Sequence, residues 1–567
     1  MTSPTESFFA SLKRGDTLVE MLRQSSLAHP EAGIRLLSGG EEVEWLPLAQ
    51  LYEDAGRLAT GLRNQAGVEP GDRVALLLPT SGESIRGLFG VLAAGAIPVP
   101  LPPPLPFSNP ERYLERTRGA LERSGIKLLL GPTAQEGFLR MLEDGMAAQG
   151  VRTRTLEPLL ESGPTWHAVS PDSPALIQYT SGSTTAPKGA VLTHRNLLSN
   201  VEAIRRGLRM TSQDVGCVWL PLFHDMGLIG CLLAPIYVGM HLVMTSPESF
   251  VMDPEGWLSS FGKYRGSIAP APNAGYLHCV KRVGAEAVKG LDLSSWRLAL
   301  MGAEAVDPAT VRRFCEHFAP AGFRPEAVMP VYGLAEASLA VTFSAVEEPL
   351  RTLTVSRAAL GQDVVEPVAA GHPEGREVVS VGTPVYETEV RVVDAEGSDA
   401  GAGKVGEILV RGGSVMQGYD RNPEASRAAF RDGWLSTGDL GFLHEGKLYV
   451  VGRRKEVIIS NGNNYYATDV EAAVSRVPGV REVLAMGVQV EGTEGLVVLL
   501  ETKERDEAVR KKLVSTVRDT VSSTLGLSPK DVVLLERGQI PRTSSGKLER
   551  HKGRALYAQW LSERQAA

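Results

Sequence analysis

Residues 241–271 read HLVMTSPESFVMDPEGWLSSFGKYRGSIAPA. An apolar run, a segment from Pro254 to Tyr264 with helical spacing, and a second apolar run around Ile268 follow one another. Strand, helix, strand is the unit from which parallel sheets are built, because a parallel pair needs a crossover long enough to hold a helix. The same alternation extends outward. Upstream it runs through VALLLP (74–79), a helical stretch ending at Gly95, IKLLL (126–130), ALIQYT (175–180) and a helix after His194; downstream it continues through RLALMGAE (297–304) and AVMPVYG (327–333). The pattern predicts an α/β fold of layered parallel sheets. The charged stretch RYLERTRGALERSG (112–125) is predicted to be a helix. Pro98 to Pro106 lack donors and have fixed φ, so that stretch is predicted to be an extended surface connection.

Beyond about Ser344 the texture changes. TEVRVVD (388–394), GEILVRG (406–412) and GKLYVVG (446–452) alternate apolar and polar residues between glycines, which predicts a small antiparallel β subdomain. After GRRKEVIISNGNNYYATDVE (452–471) come REVLAMGV, GLVVLLE, a long helix from about Asp506 and DVVLLE. The predicted division is therefore a large N-terminal domain over 1–452, carrying the β subdomain from about 345, and a small α+β C-terminal domain over 453–567. A chain of 567 residues has room for several packing units.

The 59 lysines and arginines against 66 acidic residues give a net charge of −7, with 43% apolar residues. This balance offers no broad basic footprint for nucleic acid. Cys217, Cys231, Cys279 and Cys315 never approach C-x-x-C spacing, which favours reduced buried thiols. MTSPTESFFASLKRGD has no apolar core, and Leu228 to Met240 is too short for a bilayer. A cytoplasmic protein without an export signal or membrane span is expected.

The chemistry concentrates in YTSGSTTAPKG (179–189). Glycines let backbone amides approach an anion, hydroxyls add donors and lysine adds a compact positive charge, so the composition suits phosphate. It does not follow the Walker pattern G-x-x-x-x-G-K-[ST]. On composition alone a phosphate loop and a flexible polar surface loop both remain open.

Tyr179 to Gly189 resembles the signature [YF]-T-S-G-[ST]-T-G-x-P-K-G of the adenylate-forming acyl-activating enzymes. Thr185 stands where most members have glycine, and its β-branch resists positive φ, which implies a stiffer loop. Further segments follow in the family's order up to Arg550. The resemblance implies an acyl-activating enzyme fold with a mobile C-terminal domain, using ATP and Mg²⁺. It assigns Thr180, Ser181, Gly182, Ser183, Thr184 and Lys188 to the phosphates, with Thr184 also at the metal. Gly302-Ala303-Glu304 resembles the adenine-side turn. Tyr332-Gly333-Leu334-Ala335-Glu336 resembles Y-G-x-[TA]-E, in which Tyr332 stacks on adenine beside Gly333 and Glu336 holds magnesium. Asp439 of STGD (436–439) would accept from the ribose, Arg453 and the pivot Lys455 lie in the hinge motif, and Lys547 of PRTSSGK (541–547) would be the catalytic lysine. His224, in Phe223-His224-Asp225, would orient the substrate carboxylate.

WLPLFHDMGLIGCLLAPIYVGMHLVMTSPESF and FRPEAVMPVYGLAEASLAVTF resemble the fatty acyl-AMP ligase branch, which passes fatty acids to carrier proteins. The segment Ser344 to Ser380 resembles that branch's insertion, thought to bar coenzyme A. The implied partners are a fatty acid and a holo acyl carrier protein, or a carrier domain of a polyketide or nonribosomal synthase. A coenzyme A ligase and a catalytically idle homologue are the alternatives. Small and apolar residues in Met226 to Tyr237 and Ala271 to Tyr276 suit an acyl tunnel, since each buried CH₂ gains about 0.8 kcal/mol. Met226, Gly230, Asn273 and Tyr276 are its candidate wall.

Overall fold

The computed structural model describes residues 16–103, 113, 124–146, 150–180, 188–460, 463–490, 493–543 and 546–566. The quoted unit folds as its spacing predicts. His241–Thr245 and Ile268–Ala271 are parallel strands of one sheet, and the helix Pro254–Tyr264 lies between them in sequence. The Asp253 carboxylate caps that helix, accepting from the Gly256 amide at 2.9 Å, and proline occupies its first position, where no donor is needed.

Among the described residues this sheet has nine strands. From one edge to the other they are Thr383–Pro384, Ala340–Phe343, Val328–Gly333, Leu298–Met301, Ile268–Ala271, Val215–Val218, His241–Thr245, Gly33–Ser38 and Glu41–Pro47. The interior pairs are parallel and the outer ones antiparallel. A second, four-stranded sheet is parallel throughout: Ile97–Pro100, Arg73–Leu76, Leu128–Gly131 and Arg152–Thr155.

Two expectations change. Pro98 and Pro100 sit in a buried edge strand, not in a surface connection. Ile97 donates to Asp72 O and Leu101 to Leu76 O, so the donors alternate and the prolines fall on the side that needs none. Residues 175–180 also leave the parallel pattern. Pro174–Tyr179 pairs antiparallel with Gly189–Thr193, a strand the sequence reading missed because five residues at a glycine-lysine boundary carry little periodicity. The 112–125 segment lies, apart from Tyr113, Ser124 and Gly125, outside the described residues.

The β subdomain is antiparallel, as its alternation implies. Thr388–Val393, Gly406–Gly412 and the long strand Trp434–His444 run side by side, and Lys447–Arg453 pairs with the last of these. The segment 344–380 contains its own hairpin, Thr352–Ser356 with Gly375–Val379, and the short helix Arg357–Leu360. Val355, Leu360 and Val378 pack with Phe442, Val451 and Tyr466, so the insertion joins the β subdomain to the segment beyond Arg453.

Residues beyond Val457 build a core of their own. Val480–Val490, Thr493–Thr502 and Asp531–Leu535 form one sheet. Its side chains alternate faces. Val483, Ala485, Val498 and Leu500 meet the helices Ala467–Val474 and Glu507–Leu525, whereas Leu484, Met486, Val497 and Leu499 meet Tyr557 of the helix Arg550–Ala566. All four cysteines are free and buried. Among the described residues no helix is long and apolar enough to cross a membrane.

Candidate active site

The parallel strands end on one rim. Phe223-His224-Asp225 follows Val215–Val218, Asn273 follows Ile268–Ala271, Gly302-Ala303-Glu304 follows Leu298–Met301, and Tyr332 ends Val328–Gly333. Ligands of open α/β sheets bind outside the carboxyl ends of strands, where loops diverge. Local sterics explain two of the glycines. A Cβ on Gly302 would lie 2.7 Å from Val331 Cγ2, and one on Gly333 would lie 1.7 Å from Leu339 O. Both positions let the rim loops fold flat against the sheet. Ala303, between Gly302 and Glu304, has φ 68°.

One wall of the cleft carries a polar network. Tyr332 donates its hydroxyl to Asp439 Oδ2 at 2.7 Å, and Arg453 Nε donates to Oδ1 at 3.0 Å. Asp439 is fixed by pairing: it faces Arg453 across the Trp434–His444 and Lys447–Arg453 strands, and its amide donates to Thr437 Oγ1 at 3.0 Å. Burial and the adjacent Asp439 carboxylate hold the Tyr332 phenol well above its ordinary pKa, while that carboxylate raises Arg453. Both therefore keep their protons.

Glu336 lies below this network. Tyr419 donates to its Oε1 at 2.8 Å, and the Met416 amide donates to its backbone carbonyl. Burial raises the Glu336 carboxyl, and the Tyr419 hydrogen bond pulls against that. Lys188 Nζ stands 4.8 Å from the centre of the Tyr419 ring. Tyr419 is a residue the sequence reading missed. Its place depends on the two-residue strand Gly418–Tyr419 pairing with Val191 and Ala190, a tertiary contact without a local signal.

The phosphate-loop candidate is the connection of the antiparallel hairpin, closed by Thr180 N donating to Lys188 O at 2.9 Å. Ser181, Gly182, Ser183, Thr184 and Thr185 lie outside the described residues. The helix His194–Leu208 starts only after the second strand, capped by Thr193.

His224 faces the cleft from the other side. Its Nε2 is buried without a protein partner among the described residues. Burial, then the nearby Lys547 ammonium, pushes the imidazole down to about 3, so it is neutral at ordinary pH. Burial raises the Asp225 and Glu304 carboxyls, and Lys547 counters it in both. Glu304 is open to solvent within a cleft walled by protein. Lys547 thus lies within electrostatic reach of three groups more than 240 positions away in sequence. It is carried on a narrow loop in which Thr543 N donates to Lys547 O at 2.8 Å and Lys547 N to Thr543 Oγ1 at 3.0 Å. Lys455 is exposed in the short turn Arg454–Glu456.

The tunnel candidates divide. Met226 and Gly230 lie on the π-helical segment Met226–Leu233, directly after His224 and Asp225. Asn273 braces the neighbouring turn, donating to Ala305 O and accepting from Asp307 N. Tyr276 is buried in an aromatic core with Trp296 and Phe314, and its hydroxyl donates to Leu300 O. Its location is the protein interior and not the rim, because the helix Asn273–Arg282 turns that face inward.

Comparison with known proteins gives a consistent result. The AMP-binding enzyme family matches residues 26–420, and the AMP-binding enzyme C-terminal domain matches 469–547. The medium-chain-fatty-acid–[acyl-carrier-protein] ligase JamA of Moorena producens is 34% identical, over 95% of each chain. A Caulobacter vibrioides protein whose name places it provisionally among acyl-CoA synthetases is also 34% identical, over 93% of each. A solved structure from a study of fatty acyl-adenylate ligases of E. coli and L. pneumophila superimposes with a TM-score of 0.90 at 30% identity, covering 96% of this chain and 98% of its own. On these matches, and on the rim just described, the chain belongs to the AMP-binding, adenylate-forming enzymes, in the fatty acyl-AMP ligase branch.

Proposed function

We propose that the chain joins a fatty acid to ATP, releasing pyrophosphate and forming an acyl-adenylate, and then passes the acyl group to the phosphopantetheine thiol of a carrier protein. The observation that supports this reading is the nearness of Lys547 to His224, Asp225 and Glu304 on the rim whose next strand ends in Tyr332, itself bonded to Asp439. When a carboxylate attacks the α-phosphorus, negative charge grows on the phosphoryl oxygens, and a fixed cation in a walled site stabilises it most. Lys547, beside His224 and Asp225, is suited to supply that cation. Tyr332 offers a ring for adenine, Asp439 an acceptor for the ribose hydroxyls, and Lys188 a second cation toward the phosphates. Neutral His224, whose buried Nε2 has no partner among the described residues, is suited to a hydrogen bond with the substrate carboxylate. Met226 and Gly230 then border the path of the acyl chain.

The donor set also fits magnesium brought in by the nucleotide. Among the described residues no three acidic, histidine or cysteine side chains cluster into a metal cage, and Mg²⁺ bound to phosphates needs only one or two carboxylates. Glu336 would supply one carboxylate, with the Thr184 hydroxyl as a further candidate ligand, and the ion would neutralise phosphate charge.

For the second step the unit beyond about Arg453 pivots at Lys455, removing Lys547 and admitting the thiol. The carrier fits better than coenzyme A because the 344–380 hairpin packs against both the β subdomain and the segment after the pivot. Mass spectrometry of products from the protein with ATP, Mg²⁺ and a panel of fatty acids, given coenzyme A or a holo carrier protein, tests the reading. Acyl-adenylate and acyl-carrier product without acyl-CoA is expected; abundant acyl-CoA overturns the choice of acceptor.

A further inference from the structure

Three residues after Lys547, the chain enters the helix Arg550–Ala566 through an arginine that is almost wholly buried. Arg550 uses all three guanidinium nitrogens. Nε donates to Ala485 O at 3.2 Å, one terminal nitrogen donates to Glu456 Oε2 at 2.9 Å, and the other reaches both oxygens of Glu471 at 2.9 and 2.8 Å. Glu471 also accepts from the Ala485 amide at 3.0 Å, so helix Ala467–Val474 and strand Val480–Val490 are tied into the same knot. A buried ion network of this kind adds little net stability relative to apolar packing, since desolvation offsets attraction. What it supplies is geometry.

Its three anchors have unusual positions. Glu456 is the first residue beyond Lys455 and raises the pKa of Arg453, so it stands close to the guanidinium bound to Asp439. Glu471 belongs to the first helix of the C-terminal unit. Arg550 closes the base of the Lys547 loop, where Glu549 N donates to Pro541 O at 2.9 Å and Arg542 bridges Leu548. Within the loop, bonds between Thr543 and Lys547 and from Gly546 N to Thr543 O hold its local shape, Arg542 donates to Gly546 O, and Arg542 also pairs with Glu482.

We infer that Arg550 is the positioning residue for Lys547: by bridging Glu456 at the pivot to Glu471, it makes the hinge, the first helix and the lysine loop turn as one body, and so sets where the ammonium arrives in the cleft. This rests on Lys547 acting in adenylation. Displacement of a catalytic group by about 1 Å can cost on the order of a hundredfold. A flexible loop without this anchor would bring Lys547 into the domain but not to one point.

The test uses the full chain and measures pyrophosphate release and acyl-adenylate formation with ATP, Mg²⁺ and a fatty acid, for wild type, Arg550→Met, Arg550→Lys, Glu456→Gln, Lys547→Ala and the double variant Lys547→Ala with Arg550→Met. Arg550→Met is expected to lower kcat by roughly 10- to 100-fold while the KM for ATP stays within about threefold, and Arg550→Lys to recover part of the loss. The double variant is expected to be no slower than Lys547→Ala, because Arg550 acts through the lysine. A merely structural arginine would instead multiply the two losses, and that result overturns the proposal. Where Arg550→Met does not fold, Arg550→Lys and Glu456→Gln replace it, each also combined with Lys547→Ala; wild-type kcat in both folded single variants overturns it equally. Wild-type rate in Lys547→Ala removes the adenylation role of the lysine and the proposal with it.

Discussion

Tyr332 and Asp439, 107 positions apart in sequence, share a 2.7 Å hydrogen bond across the cleft wall, with the phenol as donor. The bond ties the end of a parallel strand to the middle of an antiparallel one, so the aromatic plane and the carboxylate keep a fixed spacing. Removing the hydroxyl leaves the ring in place but frees the carboxylate on that side. Tyr332→Phe is expected to raise the KM for ATP by about 5- to 10-fold, the worth of roughly 1 kcal/mol for one positioning hydrogen bond, with a smaller change in kcat. Steady-state kinetics at varied ATP measures it, and an unchanged KM separates Asp439 positioning from nucleotide binding.

Glu336 gives a prediction in pH. Its carboxyl is raised mainly by burial, so magnesium has to compete with a proton over a higher range than at an ordinary glutamate. The Mg²⁺ concentration for half-maximal rate should therefore fall as pH rises through that range. Tyr419→Phe removes the hydrogen bond that favours the ionised form, so it should move the whole dependence to higher pH. Glu336→Gln should flatten it. A Tyr419→Phe curve displaced to lower pH would contradict this assignment.

Much of this was legible because periodicity and capping are local. Pro254–Tyr264, Glu507–Leu525 and the strand Val328–Gly333 follow from apolar spacing, Asp253 and Asp506 caps and terminal glycines. The motif residues Tyr332, Asp439 and Lys547 are legible only by resemblance; the fold joins Tyr332 to Asp439 and carries Lys547 close to His224. What the sequence hid is set by pairing between distant segments. Tyr419 enters the site through a two-residue strand, Tyr276 lies in the aromatic core with its hydroxyl on Leu300 O, and the prolines at 98 and 100 are tolerated because their strand alternates its donors. In each case the deciding partner, Val191, Leu300 or Asp72, lies well away in sequence.

The insertion is clamped by charge as well as by packing. Asp469 takes Arg376 at 3.0 Å and Arg357 at 3.8 Å, and Asn464 N donates to Gly361 O at 2.9 Å. Two arginines share one carboxylate. Burial lowers the Arg357 guanidinium, and the like charges of Arg376 and Arg476 add to that, so Arg357 is the costly member. Asp469→Asn, which leaves two partly buried cations without an anion, should lose about 3 kcal/mol. Arg357→Met should be near neutral. Denaturant melts of the two variants measure the asymmetry, and equal losses would contradict it.

Acid stability follows from two histidines. His194 is buried and its Nδ1 accepts from the Leu18 amide at 3.1 Å, which requires a neutral ring; burial pushes it down to about 4, and His224 to about 3. Below about 6.5 the unfolded chain binds protons that the native one refuses, so each histidine's contribution to stability is lost as pH falls through that value. For His194 the loss continues to about 4. Glu471 tilts the other way, because burial pushes its carboxyl up to about 7 and the native state gains the proton first. The histidine contribution is therefore read as a difference between wild type and His194→Gln, in which the Glu471 effect cancels. Between pH 6 and 5 the wild type should lose up to about 1.4 kcal/mol more than the variant, because glutamine can accept from Leu18 without titrating. Parallel stability curves would mean that His194 binds its proton in the folded state.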